Sequence, residues 1–289
     1  MQNDSSKPKQ PVPPEMKKTT AAAAEHGAKN TEADKEQQGS VKSRLWQSGQ
    51  AILWTAFLFF ASQLAAAFVV VFILTAFGQG SQQASDWVLK TVAERFLYVL
   101  TAGVLVVWGV VWLLRHYGKA WRDIGILGMR FSDIWWILQG YGAYLVLFAV
   151  TFFAVHAFMP AINTEQQQQI GFETNIGGVD LALVFVSLVI LPPLVEEIIF
   201  RGYLFTSLRR HITFVQGAIV TSILFGIAHL QFGSGEPLLW IAAIDTFMLS
   251  MVLCYVREKS GSLWPGIFIH AIKNSVAFLF LFVFKEIAA

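Results

Sequence analysis

Ala51-Ile-Leu-Trp-Thr-Ala-Phe-Leu-Phe-Phe-Ala-Ser-Gln-Leu-Ala-Ala-Ala-Phe-Val-Val-Val-Phe-Ile-Leu-Thr-Ala-Phe77 carries no charged residue. It is longer than the about 20 residues a helix needs to cross a bilayer core of about 30 Å. Lipid offers no partner to backbone N–H and C=O groups, so such a run must satisfy them internally and is predicted to be a spanning helix. Six further apolar segments follow: Phe96–Leu114, Ile134–Phe158, Leu181–Phe205, Phe214–Leu230, Leu238–Val256 and Trp264–Phe284. The predicted fold is all-α, a polytopic transmembrane helical bundle of about seven spans, or eight at most.

The composition agrees. The chain has 289 residues, of which 55% are hydrophobic and only 14% charged, against about 25% charged in soluble domains. A net charge of +2 gives nucleic acid no electrostatic footing. The one cysteine, Cys254, lies in an apolar segment, which rules out an intrachain disulfide and reads as packing. Apolar sequence begins only after about 50 residues, too late for a secretory signal peptide.

Residues 1–50 form a polar segment with Pro8, Pro11, Pro13 and Pro14, an alanine run at Ala21–Ala24 and nearly balanced charge. It has too few apolar residues to build a core and reads as a disordered cytosolic tail, part of which can form a nascent helix. The expected organisation is this tail, N-terminal transmembrane helices over 51–180 and a core over 181–289. Lys42 and Arg44 precede the first span. Arg115, Lys119, Arg122 and Arg130 lie between the second and third, Arg209 and Arg210 follow the fourth, and Arg257 and Lys259 follow the sixth. The loop from Met159 to Asp180 has no Lys or Arg. This bias predicts a multi-pass protein with a cytosolic N-terminus. Trp87, Trp121, Trp135, Trp136, Trp240 and Trp264 sit near span ends, as an interfacial belt requires. The glutamine run Gln166–Gln169 reads as a solvated loop.

The second half contains residues that are costly in a membrane. The fourth span reads Ile190-Leu-Pro-Pro-Leu-Val-Glu-Glu-Ile-Ile-Phe-Arg-Gly202. An ionisable group at a helix centre costs at least about 2.5 kcal/mol on insertion scales, and here two are adjacent. Glu197 and Arg201 are four apart and can pair on one face. Glu196 points about 100° away, which leaves it available. Pro192 and Pro193 remove two helical hydrogen bonds and free the carbonyls of Leu188 and Val189. The fifth span ends Phe225-Gly-Ile-Ala-His229, and the seventh carries His270-Ala-Ile-Lys-Asn274. A carboxylate and an imidazole can deprotonate water and hand the proton to a leaving amine. A carboxamide N–H can stabilise an oxyanion. The plainer readings are a structural Glu197–Arg201 ion pair, histidines that only join helices, Phe225 in the core, and Asp245 paired with Lys273 or facing water.

Glu196-Glu197-x-x-x-Arg201, Phe225-x-x-x-His229 and His270-x-x-x-Asn274, in that order and each on its own hydrophobic segment, resemble the CPBP family of intramembrane proteases, which includes the type II CAAX prenyl endopeptidases and the Abi proteins. The stretch Ser260–Asn274 is similar to that family too, and the likeness spans about Leu181 to Phe284. It implies a catalytic core over 181–289 with a site inside the membrane, open to the cytosolic side. It implies that Glu196 and His229 activate the attacking water, that His270 and Asn274 bind the oxyanion or assist, and that Glu197, Arg201 and Phe225 support them. Members have been described both as metalloproteases and as metal-free glutamic proteases. Metal-independent chemistry is the expectation, with no cofactor; if zinc were used, Glu196, His229 and His270 would be its ligands. The expected partners are a membrane-associated peptide or protein substrate and the lipid bilayer, with no nucleic acid. Two other readings are open: a non-enzymatic immunity or scaffold protein, and a proton-coupled transporter, since buried acids and histidines also form proton relays.

Overall fold

The computed structural model describes residues 14–76, 91–166, 168, 170–173, 176–232 and 237–284, with the backbone alone for 14–41. Every regular element among them is helical. Helix α1 is Pro14–Ala76, α2 Val92–His116 and α3 Phe131–Phe158. Helix α4 runs Gly178–Arg209, α5 Phe214–Ile227, α6 Trp240–Ser260 and α7 Trp264–Val283. Six of these contain a stretch long and apolar enough to cross a membrane, counting Lys42–Ala76 for α1, and α5 is a shorter apolar helix. The all-α reading of the sequence therefore holds; the first span begins nine residues earlier than expected, at Lys42, and the other five membrane-length helices sit within four residues of the expected limits.

The fifth span is the exception. It was expected to cross the membrane over Phe214–Leu230, yet α5 has 14 residues. At 1.5 Å per residue it is about 21 Å long, short of the about 30 Å apolar core. The chain turns at 228–230, and the Leu239 N–H bonds back to the Leu230 carbonyl at 3.1 Å. The tail, part of which was expected to form a nascent helix, is described by its backbone alone over 14–41. Its backbone is helical from Pro14 onward, where Ala21–Ala24 and the surrounding Glu, Lys and Gln are good helix formers and proline opens a helix without losing a needed N–H. Residues 1–13, Trp87, Lys90, Gln167 and Gln169, which entered the sequence reading, lie outside the described residues.

Met1–Gln47 forms one compact unit and Ser48–Ala289 a second, which contains everything below. Local signals set the helix ends. Thr91 caps α2, accepting from the Glu94 N–H while Glu94 accepts from the Thr91 N–H. Thr213 and Gln216 do the same for α5. Gly261, at φ +69°, ends α6 in the left-handed conformation that glycine adopts without a Cβ clash.

Two apolar clusters hold the site in place. In one, Val106, Val110 and Leu113 of α2 pack on Ile198, Ile199 and Leu204 of α4 and on Phe225 of α5. In the other, Tyr144 of α3 meets Leu249, Leu253 and Val256 of α6 and Ile269 of α7. Helices approach closely where glycine permits. A Cβ at Gly226 of α5 would lie 2.8 Å from the Ala243 carbonyl oxygen of α6, and one at Gly140 of α3 would lie 2.5 Å from Ile269 Cδ1. Phe72, Phe131 and Phe153 face outward, as lipid contact requires.

Candidate active site

Helix α4 departs furthest from regular geometry. Pro192 and Pro193 have no N–H, so two carbonyls one turn earlier lose their helical donors. The backbone winds as π-helix on both sides, over Val186–Ile190 and Glu197–Phe205. Such turns are rare and concentrate at functional sites. The freed Leu188 carbonyl accepts a hydrogen bond from Asn274 Nδ2 at 2.9 Å. A side chain of α7 thus supplies the donor that Pro192 lacks, and the second hydrogen of that amide stays uncommitted.

The two glutamates occupy different surroundings. Glu197 is fully buried and accepts from Arg201 Nη1 at 2.8 Å through Oε1. His270 Nδ1 approaches the same oxygen at 3.3 Å. A carboxylate beside a guanidinium can only accept, so His270 donates to it through Nδ1, and in the neutral ring Nε2 is the nitrogen without hydrogen. That Nε2 stands 3.8 Å from Glu196 Oε2, beyond direct hydrogen-bond reach. Glu196 Oε2 has no hydrogen-bond partner among the described residues. His229 is oriented in the same way: its Nδ1 lies 2.8 Å from the Phe225 carbonyl oxygen. A carbonyl only accepts, so His229 also turns a bare Nε2 outward.

Phe225, fully buried, joins these groups. Arg201 Cζ sits 4.3 Å from the centre of its ring, and a desolvated cation–π contact of this kind contributes about 2 kcal/mol. The His229 ring lies 4.7 Å away and the His270 ring 5.8 Å, edge-on. Gly266, in the first turn of α7, lets that helix close on Glu197, since a Cβ there would sit 3.0 Å from Oε2.

Glu196, His229, His270 and Asn274 line one cavity of about 780 Å³, together with Leu188 and Pro192. That volume lies within the range of small-molecule and cofactor sites, about 300–1,000 Å³. Glu197, Arg201 and Phe225 are buried and do not line it. The sequence-predicted residues thus separate into a wall and its backing. The shortness of α5 explains how His229 and His270 meet. Helix α5 has only 14 residues, and the turn that follows it carries His229, which lines the same cavity as His270.

Other wall residues carried weaker signals or none. Asp245 of α6 pairs with Lys273 of α7 at 3.1 Å and accepts from the Tyr144 hydroxyl of α3 at 2.8 Å. The pairing was one of two options in the sequence. Tyr144 was absent from that reading, although a tyrosine within an apolar span was the available cue. The loop before α4 contributes Ile170 and Phe172, with Arg95 Cζ 5.9 Å from the Phe172 ring centre. No sequence pattern pointed to it. Of the carboxylates Glu196, Glu197 and Asp245, the last two are matched by Arg201 and Lys273, and among the described residues the first has no Lys or Arg beside it, only the His270 ring. Among the described residues no three His, Cys, Asp or Glu side chains are grouped so as to hold a metal ion. The proposed zinc set of Glu196, His229 and His270 does not meet that requirement as it stands, and no step below passes through a metal.

The chain is similar to an uncharacterized 24.3 kDa protein of Escherichia coli, 31% identical over 103 residues, which is 35% of this chain and 45% of that protein. It is 25% identical over 223 residues to YdiL of Bacillus subtilis (strain 168), provisionally named a membrane peptidase, across 77% of this chain and 86% of that protein. No solved structure matches. Residues 178–276 match the family model described as type II CAAX prenyl endopeptidase Rce1-like. That stretch holds both α4 acids, both cavity histidines and Asn274, and over these residues the chain is similar to the Rce1-like type II CAAX prenyl endopeptidases.

Proposed function

We propose that this protein is an intramembrane endopeptidase that hydrolyses a peptide bond in a membrane-associated peptide or protein, with a water activated by Glu196 and His229. The observation that carries the reading is that Glu196, with one oxygen that has no hydrogen-bond partner among the described residues, and His229, whose Nδ1 is committed to the Phe225 carbonyl, line one cavity. Both are acceptors. A water that donates one hydrogen to each presents its lone pair to a substrate carbonyl. Its oxygen bonds to the carbonyl carbon, one proton passes to the Glu196–His229 pair, and that proton reaches the amine nitrogen as the C–N bond breaks. The free hydrogen of Asn274 Nδ2 donates to the oxyanion, with the His270 ring assisting from the same cavity wall. Glu197 orients His270 through Nδ1 and has its own charge matched by Arg201.

This chemistry needs no metal. Cleavage in the presence of a strong chelator is the check: activity kept in chelator and unrestored by added zinc fits, and activity lost in chelator and regained with zinc does not. The family match brings in a cysteine-prenylated C-terminus as the first substrate to try, as a purified prenylated CAAX peptide incubated with the detergent-solubilised protein. The Lys and Arg bias around the spans supports a cytosolic N-terminus, which reporter fusions to each end of the chain will test.

A further inference from the structure

Lys273 is the tenth residue of the 20-residue helix α7, as far from either end as the helix allows. An ammonium there carries an insertion cost of about 2.5–3.5 kcal/mol, and long basic side chains near helix ends escape that cost by reaching for the interface. Lys273 instead pairs with Asp245 at 3.1 Å, on the wall of the cavity that holds Glu196. The two side chains keep 23% and 15% of their surface exposed. Asp245 is held from the other side by the Tyr144 hydroxyl, which uses Oδ1 while Lys273 takes Oδ2. Asp245 is therefore anchored in α6 and α3 whether or not Lys273 is bound to it. Lys273 has three donors and, among the described residues, this one ion-pair partner. It lies three residues beyond His270, on the neighbouring part of the same helix face, with about 5–6 Å between Cβ atoms.

We infer that Lys273 is a specificity-determining residue that binds a carboxylate of the substrate within a few residues of the scissile bond, with Asp245 and Tyr144 holding the ammonium in place. The inference rests on the protease reading above and extends it to the class of substrate. The carboxylate has two sources, a free chain end or an acidic side chain near the cleaved bond. An extended peptide advances about 3.3 Å per residue, so either source can reach Lys273 while a carbonyl sits at Glu196.

The test uses the full chain in detergent micelles and three peptide libraries of random sequence. One ends in a free carboxylate and lacks Asp and Glu, one is amidated and contains them, and one is amidated and lacks them. Cleavage by the wild-type protein and retention by Glu196→Gln protein are both read by mass spectrometry. One carboxylate-bearing library should be favoured over the third by about tenfold or more, as a charged hydrogen bond supplies, and the favoured library names the source. Asp245→Asn/Lys273→Met, which removes both charges so that no buried ion is stranded, should bring that ratio to one. Lys273→Arg should keep it. A ratio of one in the wild type, or one that survives in the double variant, overturns the inference. A ratio in retention without any cleavage upholds the anchor and sinks the protease reading. Cleavage that stops in Glu196→Gln, with no preference among the libraries, does the reverse.

Discussion

Arg201 and Glu197 form a fully buried pair whose members have further duties: Arg201 rests on Phe225, and Glu197 orients His270. Removing one member of a buried pair strands the other, at a cost of about 3–5 kcal/mol. Arg201→Ala should therefore lower the thermal midpoint in detergent sharply, and Arg201→Lys should restore it only in part, because a compact ammonium reproduces neither the planar stacking nor the guanidinium geometry. Removing both charges separates stability from function. Glu197→Leu/Arg201→Met should unfold near the wild-type midpoint, since apolar replacements of buried pairs are often neutral. It should still be inactive, because His270 Nδ1 then has no acceptor to fix its tautomer. A double variant that folds and cleaves normally would show that Glu197 does not orient His270. At this scale the sequence was readable wherever partners lie one helical turn apart: Glu197–Arg201 followed from spacing. The Glu197–His270 contact spans 73 positions and is set by how α4 packs on α7, which no local spacing encodes.

Among the elements, the prolines of α4 and the asparagine of α7 form one unit. The missing N–H of Pro192 frees the Leu188 carbonyl, and Asn274 takes it. Pro192→Ala returns a backbone donor to that carbonyl, so Asn274→Ala should cost less in its presence. A double-mutant cycle on unfolding free energy should give a coupling within the 0.5–3 kcal/mol seen for contacting residues. Strict additivity would mean that the hydrogen bond contributes nothing. Gly226 makes a second element-scale case. A methyl there meets a backbone carbonyl of α6 at 2.8 Å, and a backbone atom cannot rotate aside as a side chain can. Gly226→Ala should push α5 from α6, displace His229 and reduce both stability and cleavage, measurable as a lower midpoint together with a lower kcat. The freed carbonyls could be foreseen from the proline pair, but the π-helical turns could not, because they are the backbone's response to packing on both sides. The short α5 was hidden too: Phe214–Leu230 carries no Asp, Glu, Lys or Arg, and composition does not mark where the chain turns inside such a run.

At the scale of the molecule, the described residues hold six membrane-length helices and one short one, and α2, α4, α6, α7 and the turn after α5 line a cavity whose wall carries two histidines, Glu196 and an amide. The helices were readable from the spacing of apolar runs, since a bilayer imposes one length on every span. The convergence of Glu196, His229 and His270 was suggested by motif order and required the shortened α5 to occur in space. In the proposed mechanism, catalysis depends on one proton acceptor more than on any other group. Hydrolysis of a prenylated CAAX peptide by the purified protein, compared with the Glu196→Gln variant at equal folded concentration, tests this most directly. The amide keeps the size of the carboxylate and cannot take a proton, so the account predicts cleavage by the wild type and a loss of about 10²–10⁴-fold in the variant. Equal cleavage by the two proteins would contradict the assignment of Glu196 as the base.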